Sequence, residues 1–330
     1  MTMQMTRYEF LVRAVQPISH TQENFGNYGV FMRKRIVMPN GSVQSVPYIT
    51  GDSIRNRARR ASTYALLDAA GLLGNEALTE SALKLMFAGG GVTEKGDASV
   101  VNLDKYRELA SLIPTLALFG GCTDNRPLPG QINIDEGNPI CSETMHTAPD
   151  WVHEWLSNKG VQVLTQRRLI EEVTRVRMDP TTSPEMVKLL TPAEQIRVNG
   201  RLLASEKAHE DGDAIEAKKN KSSAMPRSFE RMVEGTLFLC GIEARTYTDL
   251  EADTFDYCVG CLLNNFTVGG KQSVGHGRLK FVCGNKIHFT PTSGNFDDMG
   301  TGLAAKTGEL FKAHVAAHKE QIVSWLEKCA

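Results

Sequence analysis

Apolar and polar residues alternate over residues 7–15, setting Tyr8, Phe10, Val12 and Ala14 on one side, which predicts a half-buried strand. Residues 16–38 then run irregularly, interrupted by Pro17, Gly26 and Gly29 and closed by the basic triplet Arg33-Lys34-Arg35. A turn at Pro39-Asn40-Gly41 predicts a hairpin. From about Asp52 the period becomes helical, and Ile54, Ala58, Ala61, Ala65, Ala69 and Leu72 fall on one narrow stripe. Helices are expected over 77–87 and 103–118, the second interrupted by Pro114 and ended by LFGG at 118–121. A short strand at 131–134 and a helix at 150–156, carrying Trp151 and Trp155, come next.

From residue 165 the texture changes. A strand-like VTRVRM follows Arg167 and Arg168, and residues 179–227 then show weak apolar periodicity. The run SEKAHEDGDAIEAKKNKSSAMPR within them is too polar to bury much surface, so a mobile arm is expected there. GTLFLCGIEA at 235–244 reads as a buried strand, 255–266 as a helix, 268–277 as a glycine-rich loop, and Leu279, Phe281 and Cys283 as an alternating strand. A long amphipathic helix over 303–328 is expected to bury Leu310, Phe311, Val315, Ile322 and Leu326. With the insertions set aside, the order is strand, helix, strands, helix, loop, strand, which is close to the split β-α-β pattern of ferredoxin-like α+β folds.

Hydrophobic residues make up 41% of the 330-residue chain and charged residues 23%, as in an ordinary soluble protein. The net charge of −1 means that any polyanion site must come from local segregation of charge. Seven scattered cysteines fit free thiols in a reducing compartment, and no apolar run approaches a membrane span, so a cytoplasmic protein without a membrane partner is expected.

The unusual chemistry lies at 47–60, PYITGDSIRNRARR. Thr50, Asp52 or Ser53 can cap the helix start, yet Arg55, Arg57, Arg59 and Arg60 crowd its positive end. An anion such as phosphate would relieve that repulsion; a solvated basic face is the plainer alternative. The loop VGGKQSVGHGR at 268–278 lets backbone approach a partner closely, and Lys271, His276 and Arg278 supply donors. It follows a helix and precedes a strand, the reverse of a dinucleotide fingerprint. Cys258 and Cys261 have metal-ligand spacing without a second pair, so two small buried residues are expected, and no metal or cofactor. His314 and His318, four apart, could share a ligand, but without an adjacent carboxylate in a recognised pattern they read as ordinary surface or groove histidines. His20 and Tyr28, in the loop after the first strand, could serve as general acid and base.

Together, the first strand, PYITGDSIRNRARR, LFGG and VGGKQSVGHGRLKF resemble the RAMP superfamily of CRISPR proteins. SHTQENFGNYG and GGCTDNRPLPGQ are most similar to the type IV backbone subunit. The resemblance implies a modified ferredoxin-like or RRM-like palm from residues 1–70 and 229–330, a finger-like helical insertion at 71–165, and a thumb with a mobile arm at 166–228. It implies a CRISPR RNA-binding backbone subunit that polymerises along the guide, contacts further copies of itself and other effector subunits, and presents the guide to a target strand, with DNA favoured. Arg33, Lys34, Arg35, Ser53, Arg55, Asn56, Arg59 and Arg60 would hold phosphates, with Gly269, Gly270, Lys271, Gln272, His276 and Arg278 against the same strand. Met225, Arg227 and Phe229 would form a thumb wedge in the guide–target duplex. Base identity would be read by pairing, and backbone and shape by the protein. In type III relatives an aspartate before the basic helix cuts RNA; residues 25–51 hold no acid here, so no catalytic residue is expected. The alternative implied is a RAMP endoribonuclease that matures the guide through His20 and Tyr28.

Overall fold

The computed structural model describes residues 3–74, 78–90, 103–123, 126–176, 184–200, 226–289, 294–298 and 303–328. In chain order the strands are β1 (Gln4–Ala14), β2 (Thr21–Phe25), β3 (Tyr28–Phe31), β4 (Arg33–Val37), β5 (Val43–Pro47), β6 (Gly121–Thr123) and β7 (Arg126–Leu128). They continue with β8 (Ile132–Ile134), β9 (Asn138–Pro139), β10 (Ile170–Val176), β11 (Pro226–Met232), β12 (Leu237–Thr246), β13 (Leu279–Phe289) and β14 (Gly294–Asp298). The helices are α1 (Gly51–Ala69), α2 (Glu80–Ala88), α3 (Leu103–Leu112), α4 (Pro114–Phe119), α5 (Asp150–Lys159), α6 (Pro184–Val187), α7 (Asp249–Asn264), α8 (Leu303–Lys306), α9 (Glu309–Ala317) and α10 (Lys319–Lys328). The fold is α+β. The arm expected within 206–225 lies outside the described residues.

Chain contacts divide it into two units, residues 1–20, 32–171 and 231–330, and residues 21–31 with 172–230. The first is built on an antiparallel sheet in the order β14-β13-β1-β12-β8, with β9 also paired to β12. β1 is central, running antiparallel to both β12 and β13. Its alternation does what the sequence predicts: Tyr8, Phe10, Val12 and Ala14 are buried, with Tyr8 against Phe255 of α7 and Phe10 against Phe266. Burying a ring of that size contributes about 1.5–3 kcal/mol. Leu11 points the other way and is buried too, in a cluster with Val152 and Leu156 of α5 and with Trp151 and Trp155 beside it. Both faces of the sheet are therefore covered.

The buried face of α1 is rotated from the expected alanine stripe. Ile54 and Ala58 are buried as predicted, but Arg59, Ser62, Thr63, Leu66 and Leu67 complete the buried set, while Ala61, Ala65 and Ala69 are only half-buried. The reason is the insertion: Leu66 and Leu67 pack with Leu85 and Met86 of α2 and with Phe311 and Val315 of α9, a larger apolar gain than methyl groups provide. Pro114 divides α3 from α4 as expected, sitting at the first position of α4 where its missing N–H costs nothing.

The single helix expected over 303–328 is three pieces. Gly308, at φ 89°, and Phe311 both donate their backbone N–H to the Asp253 carboxylate of α7, which caps α9. Phe311, Val315, Ile322 and Leu326 are buried as expected, but Leu310 is half exposed. The His314 and His318 rings stack at 4.2 Å between centroids, each bonding a backbone carbonyl.

The second unit carries a four-stranded sheet, β10-β11-β3-β2, in which β11 pairs parallel to β3 through Ser228↔Tyr28 and Phe229↔Gly29.

Candidate nucleic-acid interface

Helix α1 starts at a side-chain cap. The Thr50 hydroxyl accepts from the Ser53 N–H at 3.3 Å, and the Thr50 N–H donates to His20 Nε2 at 3.3 Å. Accepting that proton requires a neutral ring at His20, and burial lowers its pKa accordingly. His20 Nε2 is therefore part of the helix cap.

Helical geometry sorts the arginines onto two faces. Ser53, Asn56, Arg57 and Arg60 are spaced i, i+3, i+4 and i+7 and share one face. They line a cleft of about 420 Å³ whose opposite wall is Thr267, Val268, Gly269 and Gln272 of the glycine loop. Arg57 Nε donates to the Asn265 carbonyl at 3.0 Å, which holds the guanidinium at the cleft while its terminal nitrogens have no partner among the described residues. Arg60 is exposed and forms no ion pair among them. Partial burial lowers the Arg57 pKa, and the like charge of Arg60 lowers it further. Two guanidinium groups thus repel one another in a concave site, with Asp52 exposed at its edge.

The loop wall is set by close backbone approach. Gly269 has φ 71° and a Cβ there would meet the Ser19 carbonyl oxygen at 2.3 Å; Gly277 has φ 93° and a Cβ would meet that of Val268 at 2.2 Å. Gly270 N–H donates to the Ser19 carbonyl at 2.7 Å, and Gln272 Nε2 to that of Gly269 at 3.0 Å. Lys271 is exposed and adopts φ 58°, an uncommon conformation for a residue with a Cβ.

Several expected contacts need correction. Arg59 is only 9% exposed: its guanidinium donates to the carbonyls of Leu85, Phe119 and Gly120 and lies over the Phe119 ring. Burial, with the like charge of Arg55, lowers its pKa to about 10. Arg55 donates to the carbonyls of Ile132 at 3.0 Å and Phe119 at 2.6 Å. These two arginines bind backbone instead of facing the cleft. His276 is 2% exposed and so cannot present a ring to a ligand.

Arg278 is exposed at the start of β13, outside the cleft lining. The triplet lies on the β4–β5 hairpin, also outside it. Lys34 pairs with Glu136, an acid from a distant segment that local charge reading of residues 25–51 misses; Arg33 donates to Gln166 at 3.5 Å, and Arg35 is exposed. In the second unit Phe229 is 4% exposed, packed near Arg175 and Gly29, so it is a core residue and not a wedge. Arg227 is exposed, and Met225 lies outside the described residues. Cys258 is buried and Cys261 half-buried, with burial raising both thiols. Arg57 belongs to the arginine crowd but not to the phosphate contacts that the resemblance implies, yet it lines the cleft; its spacing of three from Arg60 and four from Ser53 was the available signal.

Among the described residues no helix is long and apolar enough to cross a membrane. No family model and no curated protein matches the sequence. Among solved structures the fold is similar to a chain of a "Type IV-B CRISPR Complex", with a TM-score of 0.50 and 16% identity, covering 87% of this chain and 92% of that one.

Proposed function

We propose that this chain is the guide-RNA-binding backbone subunit of a type IV-like CRISPR effector complex. Its palm is the sheet β13-β1-β12-β8 with α1 and α7, and the order fourth-first-third-second among the core strands supports a ferredoxin-like, RRM-like reading. Residues 71–165, apart from the palm strand β8, are the finger-like insertion and 166–228 the thumb. The observation that carries the proposal is the cleft in which Arg57 and Arg60, without a carboxylate partner among the described residues, face a glycine-lined wall. The side-chain amides of Asn56 and Gln272 and two guanidinium groups suit the phosphates of a single strand. The fold similarity to a chain of a Type IV-B CRISPR complex supports the same reading.

In this role the subunit binds without turnover, repeats along the guide with copies of itself, and leaves sequence readout to pairing with a target strand. The acid-free stretch at 25–51 and the engagement of His20 Nε2 in the helix cap support a binding role over guide maturation. The test is co-expression with a CRISPR array, followed by sequencing of copurified nucleic acid. Array transcripts should be enriched over total RNA, and Arg57→Ala with Arg60→Ala should remove the enrichment. Equal recovery of array and bulk RNA, or guide cleavage abolished by His20→Ala, would overturn it.

A further inference from the structure

The phosphate cleft does not end at Arg60. The same face of α1 continues through Ala61, Tyr64, Ala65 and Asp68, at i+4, i+7, i+8 and i+11 from Arg57. These residues line a second cleft of about 620 Å³, closed on its far side by Leu73 and by Asn264 and Asn265 at the end of α7. Arg57 lines both clefts, fixed between them by the Asn265 carbonyl. The character changes along the strip. Cationic and amide groups surround the first cleft, whereas the second has a methyl floor and the Tyr64 ring. That ring is 49% exposed and is held edge-on against Phe87 at 5.1 Å, so it is oriented without being covered. Asp68 and Asn264, both exposed, stand at the rim as acceptor and amide.

We infer that the second cleft receives a nucleobase of the strand whose phosphate lies on Arg57 and Arg60. This rests on the nucleic-acid reading of the first cleft. Along the helix axis Tyr64 stands about 6 Å from Arg60 and about 10 Å from Arg57, at 1.5 Å per residue, so the ring follows directly on the two guanidinium groups. A flat heteroaromatic ring with polar edges matches an aromatic wall, an apolar floor and a rim of one carboxylate and one amide. A purely apolar side chain from a protein partner would leave the Asp68 and Asn264 rim unmatched. The chemistry therefore favours one base laid beside Tyr64 with its polar edge toward Asp68 and Asn264.

The test compares ribo-oligonucleotides of equal length and phosphate number, with and without bases. Intact oligomers should bind the full chain about tenfold tighter than the abasic backbone. Tyr64→Leu and, separately, Asn264→Ala should shrink that ratio while abasic binding and its salt dependence persist; Asn264 is exposed, so this variant guards against misfolding of the first. An oligomer carrying 4-thiouridine should photocrosslink to the peptide containing Tyr64. Failure of both the abasic and the intact strand to bind the wild type would defeat the nucleic-acid reading itself. Abasic and intact strands binding equally, or a ratio unchanged in both variants, would instead overturn the base site alone.

Discussion

Arg59 Nη2 donates to the Phe119 carbonyl oxygen at 2.9 Å while its guanidinium carbon lies 5.6 Å from the centre of the same residue's ring. One side chain of the arginine helix is thus fastened to the LFGG turn both by hydrogen bond and by ring face.

Arg59→Ala should therefore destabilise the protein, by about 3 kcal/mol or more, because three carbonyls lose a charged donor in a buried site. Arg59→Lys should recover only part, since an ammonium cannot reproduce the planar fork. Denaturant melts check this; a loss under 1 kcal/mol would contradict the structural role.

Arg57→Ala with Arg60→Ala should act on binding and leave stability nearly unchanged. The slope of log affinity against log salt for single-stranded RNA should fall by about 1.4, at ~0.7 for each phosphate contact removed. Weakening should be uniform across sequences. A changed sequence preference with an intact slope would refute the phosphate assignment.

The histidine cap makes stability depend on pH. Burial lowers the His20 pKa in the folded state, so the unfolded chain binds the proton first. Stability should fall as pH drops below about 6.5, and this loss should be complete below the folded-state value. His314, lowered mainly by burial, contributes in the same direction. His20→Asn should flatten part of the slope in thermal melts between pH 7 and 5 (chosen to bracket about 6.5), and the double variant with His314→Asn more of it.

Gly277→Ala should be destabilising by more than ~1 kcal/mol, since it combines a left-handed backbone with a Cβ placed 2.2 Å from the Val268 oxygen. Gly275→Ala meets no neighbouring atom within 4 Å, so the strain of φ 80° alone should cost less. Comparing the two melting curves isolates the close approach.

Much of the frame was legible in the sequence because its signals are local. The period of two in β1, the asparagine-glycine turn of the β4–β5 hairpin and Pro114 each act on their own neighbours. What failed was anything decided across the chain. The rotation of α1 depends on Leu85 and Met86 arriving from α2, and the break at Gly308 on Asp253 of α7. Lys34 finds Glu136 a hundred residues on. Within the candidate site, a cluster of arginines that charge density presents as one set is two. Those spaced to meet the insertion became structural, and those facing the glycine loop stayed available.

Arg55 and Arg59 also hold carbonyls at Leu85, Phe119, Gly120 and Ile132, on the two sides of the 86–118 stretch. A loop clamped at exit and re-entry by one rigid rod can lengthen, shorten or diverge between its clamps without tilting the rod. Such an arrangement gives evolution a graft site: the excursion can be remodelled to suit new neighbours while the turn bearing Arg57 and Arg60 keeps its aim.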